Sequence, residues 1–258
     1  MICEDVFTSI MERARGYKYS SMNYIDFDAC KNAEILYDND MLILLQDKSK
    51  LPSILYFATN NFEEVVHIIA KMSGKLRLHF VPKAYAEQLK ELNFIEWGEY
   101  ADFWNINLSK TAAQFKSLDK PEYLSLDECE EASIVTKSCM GRSRGFEGAP
   151  LEFYEEWLNE GNQIIIGRIG MVIVGVCCVA IYNEGTTLWI KEFAVDPKHQ
   201  GIGLGKKLLE QAINYGIQYG ATKGFLLADV LNENAIGLYK KYGFEMKDDE
   251  SELQMVRQ

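Results

Sequence analysis

The spacing of hydrophobic residues varies along the second half of the chain, and each spacing indicates a type of secondary structure. Short apolar runs predict strands, whereas segments with an apolar residue about every three or four positions predict helices. Asp127 and Glu130 are expected to cap the first of these helices. The mixture of elements predicts an α/β (α+β) fold with a mixed sheet. The predicted strands are 122–126, 163–169, 171–182, 187–195, 225–230, 244–247 and 252–256, and the predicted helices are 127–139, 151–159, a segment from residue 204 onward, and 234–242.

The first half of the chain has its own pattern of strands and helices, which predicts a second α/β domain. Helices are expected at 2–15, 61–73 and 84–92, and strands at 42–45, 54–58, 76–81 and 100–108. A polar stretch at 109–121 separates the two patterns and ends at a proline residue. The sequence therefore predicts domains at 1–116 and 117–258, a division that fits a chain of 258 residues.

A glycine-rich loop, Gln200–Gly205, joins the predicted strand 187–195 to the helix that follows. Glycine residues at the start of a helix leave its first amide groups accessible, and those amides bind anions together with the helix dipole. Lys206 and Lys207 place positive charge in the first turn, where the dipole alone favours acidic residues. A bound anion removes this conflict, so the loop is interpreted as a phosphate-binding site.

Three kinds of glycine-rich phosphate loop differ in the residues that they require. A Walker loop needs Ser or Thr after its lysine, but Lys206 is followed by a second lysine. A dinucleotide-binding loop needs a third glycine at the position that Lys206 occupies. The third pattern, Gln/Arg-x-x-Gly-x-Gly/Ala, is met by Gln200, Gly203 and Gly205. An ordinary glycine-rich turn remains the alternative for this loop taken alone.

A second motif follows the predicted strand 225–230. Five residues match the pattern N-x-x-A-x-x-x-Y-x-x-x-G-F at every position, namely Asn232, Ala235, Tyr239, Gly243 and Phe244. With both motifs in the same order and separation, the stretch from about Lys120 to Gln258 resembles the GCN5-related N-acetyltransferase (GNAT) superfamily. The resemblance implies a mixed, largely antiparallel sheet flanked by helices, and acetyl-CoA as the cofactor.

The resemblance also implies roles for individual positions. In that family the strand before the loop carries a bulge that exposes backbone groups to the cofactor, and the irregular alternation at Lys191–Phe193 fits a bulge. Tyr239 matches the usual general acid, which protonates the leaving thiolate, and a core or interface tyrosine is the alternative. The expected cofactor-binding residues are Phe193, Ala194, Val195, Gln200, Gly201, Ile202, Gly203, Leu204, Gly205, Lys206 and Asn232.

No motif identifies the general base. Glu192 is the best candidate because it lies on the strand beside the expected thioester position, although a solvated carboxylate or an ion pair with Lys191 explains it equally well. In the loop 141–148, Arg142 and Arg144 offer bidentate donors to an acidic group of the acceptor, or are simply solvated. Three further residues are candidates for shaping or charging the acceptor pocket: Tyr182, Trp189 and Asp229.

Composition excludes several other classes of function. A net charge of −11 disfavours binding to nucleic acid. The 6 cysteine residues form no C-x-x-C pair and there are only 3 histidine residues, so no metal site is expected. The first residues lack an apolar signal core, and the longest apolar run, about 170–182, is too short to cross a bilayer. A cytoplasmic protein without a nucleic-acid or membrane partner is expected.

The end of the first half resembles the second half at an offset of 150 residues, which places Phe94 on Phe244 and Leu89 on Tyr239. The stretch opposite the phosphate loop, 50–55, contains a proline and no glycine. The first half is therefore interpreted as a degenerate GNAT-like repeat without a working cofactor site. The alternative is that any strand–helix–strand segment shows this likeness.

The two motifs together predict an acetyl-CoA-dependent N-acetyltransferase that moves an acetyl group to a primary amine by direct attack in a ternary complex. A covalent cysteine intermediate is disfavoured because Cys177 and Cys178 lie in an apolar strand. A small-molecule acceptor is expected, since the additional half can close off a cleft. The alternatives are an enzyme that uses a longer acyl-CoA, and a non-catalytic acyl-CoA-binding sensor or scaffold. The oligomeric state is not indicated by the sequence.

Overall fold

A computed structural model describes residues 2–23, 25, 27–115, 119–144, 146–247 and 251–258, with Asp28 described by its backbone alone. The chain divides into two compact units, of which the first contains Met1–Tyr100 and Ser251–Gln258 and the second contains Ala101–Glu250. This division differs from the predicted domains 1–116 and 117–258. The last residues join the first unit because their strand pairs with strands of that unit.

Helices and strands cover most of the described residues. The first part of the chain contains α1 (Glu4–Ala14), β1 (Tyr19–Ser20), α2 (Phe27–Cys30), β2 (Glu34–Asp38), β3 (Leu42–Asp47), β4 (Ser53–Thr59), α3 (Phe62–Ile69), β5 (Leu76–Pro82), α4 (Ala86–Glu91) and β6 (Phe94–Asn105). The remainder contains α5 (Leu108–Ala112), β7 (Glu122–Tyr123), α6 (Cys129–Ser138), α7 (Leu151–Asn159), β8 (Gln163–Ile169), β9 (Val172–Tyr182), β10 (Thr187–Val195), α8 (Leu204–Gln218), β11 (Lys223–Asp229), α9 (Glu233–Lys241), β12 (Glu245–Met246) and β13 (Glu252–Arg257).

In the first unit, β2, β3 and β4 pair antiparallel, β4 and β5 pair in parallel, and β13 pairs antiparallel with both β5 and the first part of β6. Alternate residues of β3 enter two cores because successive side chains of a strand point to opposite faces. Leu44 packs in one core with Phe62 of α3, and Leu45 packs in the other with Ile10 of α1. The sheet of this unit is therefore covered by helices on both faces.

In the second unit, β7, β8, β9 and β10 pair antiparallel in succession, and β10 pairs in parallel with β11. Neighbouring residues of β9 point into different cores: Cys177 packs with Leu208 of α8, and Cys178 packs with Ala132 of α6 and Trp157 of α7. Burial on both faces explains why β8 and β9 are almost continuously apolar in sequence. The predicted mixed, largely antiparallel sheet flanked by helices is confirmed.

Two glycine residues allow α8 to approach the sheet closely. A Cβ atom at Gly167 of β8 would lie 2.6 Å from Leu204 Cδ1, and a Cβ atom at Gly175 of β9 would lie 2.8 Å from Leu208 Cδ1. Both leucine residues belong to the first two turns of α8. Larger residues at the two positions would push the start of this helix away from the strands.

Several predicted boundaries differ from those observed. The capping box before α6 is formed by Ser125 and Glu128, whereas Asp127 and Glu130 were the expected pair. A short 3-10 turn, Leu126–Glu128, precedes the helix, so the cap lies two residues earlier than the sequence pattern indicates. The predicted linker 109–121 contains the end of α5, and its residues 116–118 lie outside the described residues.

The two units contain the same order of elements. Three antiparallel strands are followed by a helix, a strand parallel to the third, a short helix and a final strand, as β2 to β6 in one unit and β8 to β12 in the other. Asn93 and Gly243, which the offset of 150 residues aligns, both have positive φ, 64° and 72°. The offset fails at the phosphate loop, because α3 begins after Asn61 rather than at 50–55. The repeat stays a prediction that this shared order supports.

No helix within the described residues is long and apolar enough to cross a membrane.

Candidate active site

Strands β10 and β11 separate in the middle of the second unit. Their parallel pairing runs from Thr187 and Lys223 to Ile190 and Leu226, although β10 continues to Val195 and β11 continues to Asp229. On the other side of β10, the register against β9 shifts between Ile190 and Phe193, which is the predicted bulge. The bulge is confirmed, and it lies where the two parallel strands begin to diverge.

The glycine-rich loop connects the end of β10 to α8. Gly201 and Gly203 have φ values of 82° and 88°, which residues with a side chain rarely adopt. Gly203 is the N-cap of α8, and no side chain caps the amides of that first turn. A Cβ atom added at either glycine would meet no heavy atom within 4 Å. The start of the helix therefore presents accessible amide groups to open space, as the phosphate-loop interpretation requires.

The side chains of three predicted cofactor-binding residues, Gln200, Ala194 and Leu204, make contacts within the protein. Gln200 Nε2 donates a hydrogen bond of 2.9 Å to the carbonyl oxygen of Val195. Ala194 is buried in the core formed with α6 and α7, and Leu204 packs against the sheet. Only the backbone groups of Ala194 and Leu204 are thus available to a ligand.

Lys206 and Lys207 in the first turn of α8 are exposed at the surface of the second unit. Lys206 Nζ lies 3.8 Å from Glu210 Oε1, and Lys207 Nζ lies 3.0 Å from Asp119 Oδ2. Because the Lys207–Asp119 pair is exposed and such pairs are weak, the Lys207 ammonium group can turn toward an anion at the loop. Ile202, also predicted to contact the cofactor, is 65% exposed.

Tyr239 lies on α9 and faces the separated end of β10. Its ring centroid is 6.1 Å from that of Phe193, and the residue is 6% exposed. Burial raises the pKa of Tyr239 far above its usual value, and the thiol of Cys177 and the carboxylate of Glu192 add to this rise. The hydroxyl group therefore keeps its proton at neutral pH, which is the form that a general acid needs.

Asn232 begins the helix that carries Tyr239. Its Oδ1 accepts a hydrogen bond of 3.2 Å from the amide of Ala235, so the side chain caps α9. This hydrogen bond uses the Oδ1 atom of the side-chain amide and leaves the Nδ2 donor for other partners.

Glu192 lies within the bulge of β10. Its Oε2 atom is buried and has no hydrogen-bond partner among the residues that the structure describes. Burial raises the pKa of Glu192 to about 7, and the nearby charge of Lys191 opposes this rise. The alternative role, an ion pair with Lys191, is absent from the described contacts, because the Lys191 ammonium lies over aromatic rings instead. A carboxylate with a pKa near neutrality matches the requirement for a general base.

Asp229 anchors the loop between α6 and α7 to the end of β11. Its Oδ2 accepts hydrogen bonds from the Arg144 amide at 2.8 Å and from Ser143 Oγ at 3.1 Å, and its Oδ1 accepts one from Arg144 Nη2 at 3.0 Å. Arg144 was expected either to bind an acidic group of the acceptor or to be solvated. The ion pair with Asp229 contradicts the second expectation, and the first stays a prediction. Arg142, in contrast, is exposed.

The other two candidate pocket residues lie together on the sheet. The ring centroids of Tyr182 and Trp189 are 5.2 Å apart, and the Trp189 ring stacks on Phe225 at 5.7 Å with an interplanar angle of 5°. Sequence reasoning did not single out Phe225, although its place two strand positions before Leu227 puts both on one face of β11.

The residues present fit an acyl-CoA. The loop offers uncapped amides and exposed lysine residues to phosphate, and the diverging strands expose backbone groups. The Glu192 carboxylate lies near enough to Tyr239 to raise the pKa of its hydroxyl group. Among the described residues, no cluster of three or more His, Cys, Asp or Glu side chains is suited to hold a metal ion.

Comparison with known proteins shows which family this part of the chain resembles. A sequence profile of the acetyltransferase (GNAT) family matches residues 128–244. The chain is 32% identical over 68 residues to a spermine/spermidine N(1)-acetyltransferase of Bacillus subtilis (strain 168), an alignment that covers 26% of this chain and 45% of the relative. It is 28% identical over 98 residues to N-alpha-acetyltransferase 50 of Danio rerio, covering 37% of this chain and 58% of that protein. The chain thus spans about half the length of these curated relatives.

A solved structure has the same fold along almost the whole chain. An acetyltransferase from the GNAT family of Colwellia psychrerythraea matches 99% of this chain and 97% of its own chain, with a TM-score of 0.61 and 11% identity. Residues 128–244 therefore contain a domain that matches the acetyltransferase (GNAT) family, whose members take their acetyl group from acetyl-CoA.

Proposed function

We propose that this protein is an N-acetyltransferase that binds acetyl-CoA between β10 and β11 and transfers the acetyl group to a primary amine. The observation that carries the proposal is the separation of these strands beyond Ile190 and Leu226, next to a helix that begins with uncapped amides. The names of the relatives from Bacillus subtilis and Danio rerio describe acetylation of amino groups, which supports the same reaction.

Three parts of the second unit would hold the cofactor. The amides from Gly201 to Lys206 bind the pyrophosphate, since they point into open space at the positive end of α8. The backbone of Phe193–Val195 is left without a parallel neighbour and binds the pantetheine arm. The free Nδ2 donor of Asn232 binds the same arm from the other side of the gap.

Glu192 and Tyr239 perform the proton transfers. When bound, the cofactor supplies an activated acyl carbon. Glu192 accepts a proton from the acceptor, directly or through water, because only a neutral nitrogen attacks. The nitrogen–carbon bond forms as the carbon–sulfur bond breaks, and the Tyr239 hydroxyl gives its proton to the departing sulfur. Direct attack is favoured over a cysteine intermediate, since burial raises the pKa of Cys177 and Cys178 far above the usual value.

The first unit is inferred to be a degenerate GNAT-like half that binds no cofactor. Its equivalent helix, α3, begins at Asn61, whose side chain already accepts a hydrogen bond from the Glu63 amide. Glu63 and Glu64 make this first turn acidic, and carboxylates at that position repel phosphate.

A small-molecule acceptor and a cytoplasmic location are also inferred. All 6 cysteine residues are free thiols, and 5 of them are buried, which suits a reducing compartment. The net charge of −11 argues against a nucleic-acid partner.

Thermal unfolding with and without acetyl-CoA tests the proposal. A ligand present at about a hundred times its dissociation constant adds roughly 2.7 kcal/mol to the free energy of unfolding. A clear upward shift is expected for the wild-type protein. The variant Gly203→Glu should show none, because a carboxylate would occupy the phosphate position. A wild-type protein that shows no shift at saturating acetyl-CoA contradicts the proposal.

The variant Tyr239→Phe separates an enzyme from an acyl-CoA sensor. An enzyme should lose turnover, measured as thiol release with an amine, while its thermal shift with acetyl-CoA stays unchanged. A wild-type protein that shows the shift but no thiol release with any amine supports the sensor instead.

A further inference from the structure

Three aromatic rings stand side by side across neighbouring strands of the second unit. The ring centroids of Trp104 and Phe225 are 4.9 Å apart with an interplanar angle of 19°, and those of Phe225 and Trp189 are 5.7 Å apart with an angle of 5°. We call these three residues the aromatic row. Stacked rings of this kind form a rigid apolar surface, because each ring fixes the orientation of its neighbour.

The sheet face that carries the aromatic row is partly open. Leu227 lies two positions beyond Phe225 on β11 and is 39% exposed, and Tyr182 beside Trp189 is 40% exposed. The same face of β11 ends at Asp229, where the loop between α6 and α7 is attached. The exposed residues of this face, Leu227 and Tyr182, therefore lie beside the aromatic row, whose central ring, Phe225, is 9% exposed.

Two positive charges on this face, those of Lys191 and Lys223, are held by aromatic rings rather than by carboxylates. Lys191 Nζ lies 5.1 Å from the ring centroids of Phe153 and Trp189 and 5.3 Å from that of Trp157. Lys223 Nζ lies 5.8 Å from the ring centroid of Trp104. Neither ammonium group forms an ion pair with a carboxylate in the part of the chain that the structure describes.

Two carboxylates on this face, those of Asp229 and Glu192, already have other roles. Asp229 is neutralised by Arg144, and Glu192 is the proposed base, which must exchange a proton rather than hold a fixed cation. A second ammonium group on the acceptor, as in a polyamine, would be repelled by Lys191 near the aromatic cage. The three-ring cage is already filled by the cation of the chain itself.

We propose that the acceptor is an amine with a carboxylate beside its amino group and a planar apolar side chain, an aromatic α-amino acid being the simplest such molecule. Lys191 binds the carboxylate, Glu192 takes the proton of the amino group, and the side chain lies on the aromatic row. The charge of Lys191 acts on the Glu192 carboxylate, so these adjacent residues of the bulge lie near enough to each other to serve the two neighbouring groups of an α-amino acid. This inference rests on the proposed function, because it concerns the acceptor of the same site.

Matched acceptors test the inference directly. Thiol release from acetyl-CoA is measured with the full chain and four amines: tryptophan, tryptamine, phenylalanine and spermidine. Tryptophan and tryptamine differ only in the carboxylate, so kcat/KM for tryptophan is expected to exceed that for tryptamine at least tenfold. In the variant Lys191→Met this ratio should fall to about one, whereas the KM for acetyl-CoA should not change.

Lys71→Met, an exposed lysine of the first unit, serves as the control and should leave the ratio unchanged. Preference for tryptamine or spermidine, or a tryptophan preference that survives in Lys191→Met, overturns the inference about the acceptor. If acetyl-CoA stabilises the protein but none of the four amines is acetylated, the inference about the acceptor is wrong and the proposed cofactor site is still supported. If acetyl-CoA does not stabilise the protein, both the proposed function and this inference are wrong.

Discussion

Gln200 and Cys139 donate hydrogen bonds to the same atom, the carbonyl oxygen of Val195. Gln200 Nε2 lies 2.9 Å from this oxygen and Cys139 Sγ lies 3.3 Å from it. One donor comes from the loop before α8 and the other from the residue after α6, so the end of β10 is fixed from both sides. Val195 is therefore oriented before any ligand binds, and the glycine-rich loop is fastened to it.

We predict that Gln200→Ala weakens acetyl-CoA binding severalfold and lowers the free energy of unfolding by about 1 kcal/mol or less. The loss is small because the glutamine is exposed and removes only one neutral hydrogen bond. Isothermal titration with CoA and chemical denaturation measure the two effects. The exposed Gln218 at the end of α8 provides the control, since Gln218→Ala should change neither quantity appreciably.

We predict that Asp229→Asn destabilises the protein by about 2 kcal/mol at pH 7. Breaking a buried ion pair costs about 3–5 kcal/mol, and the cost is lower here because the Arg144 side chain is 31% exposed. Burial works to raise the pKa of Asp229, but hydrogen bonds from Arg144 and Leu231 outweigh it and hold the pKa below its usual value. The stabilisation by the carboxylate is therefore present above the unfolded-state pKa and is lost as the pH falls through the lowered value.

Denaturation of the wild type and Asp229→Asn between pH 7 and pH 3 checks this sign, because the difference between them should narrow toward acidic pH. Asp119, which is 84% exposed and pairs with Lys207, supplies the control. Asp119→Asn is expected to lose no more than about 1 kcal/mol. If the difference in stability between the wild type and Asp229→Asn stays constant down to pH 3, the loss comes from altered packing rather than from the lost charge.

The sequence predicts the site best where function needs a local pattern. The phosphate loop and the bulge were both predictable, since successive residues around Gln200–Gly205 and Lys191–Phe193 depart from regular helix or strand patterns. The ion pair between Arg144 and Asp229 was not predictable, because the two residues are 85 positions apart and each looks solvated in its own segment. The same holds for Lys191, whose aromatic cage draws rings from α7 as well as β10.

We predict that Glu192→Gln stabilises the protein at pH 8 and abolishes most of its activity. The folded-state pKa of Glu192, about 7, exceeds the ordinary value of 4.5 because burial disfavours the charged form. An acid with a raised pKa binds its proton more tightly in the folded state, so stability is greatest at low pH and declines as the pH rises from 4.5 to 7. The neutral glutamine avoids that decline, a gain of about 3 kcal/mol.

Denaturation at pH 5 and pH 8 measures the effect, with a gain for Glu192→Gln expected only at pH 8. The wild-type rate should rise with pH and level off above about 7, and loss of a general base should lower kcat about 10²–10⁴-fold. A stability difference that is equal at both pH values would show that Glu192 does not titrate in this range.

The last prediction compares two glycine residues that differ only in backbone conformation. Gly203 has a φ of 88° and Gly237 lies inside α9, and a Cβ atom at either position would meet no heavy atom within 4 Å. Steric crowding therefore cannot distinguish the two substitutions. Alanine at Gly203 must adopt a left-handed conformation that costs about 1–2 kcal/mol, whereas alanine at Gly237 gains about 0.5–1 kcal/mol of helix propensity.

We therefore expect Gly203→Ala to lower the melting temperature and Gly237→Ala to raise it. Acetyl-CoA should bind more weakly to Gly203→Ala alone, because the new methyl group enters the open space in front of the first amides of α8. Circular dichroism and CoA titration of the two variants measure these effects. If Gly203→Ala binds CoA as the wild type does, the phosphates lie elsewhere, and the open space at the start of α8 has a different use.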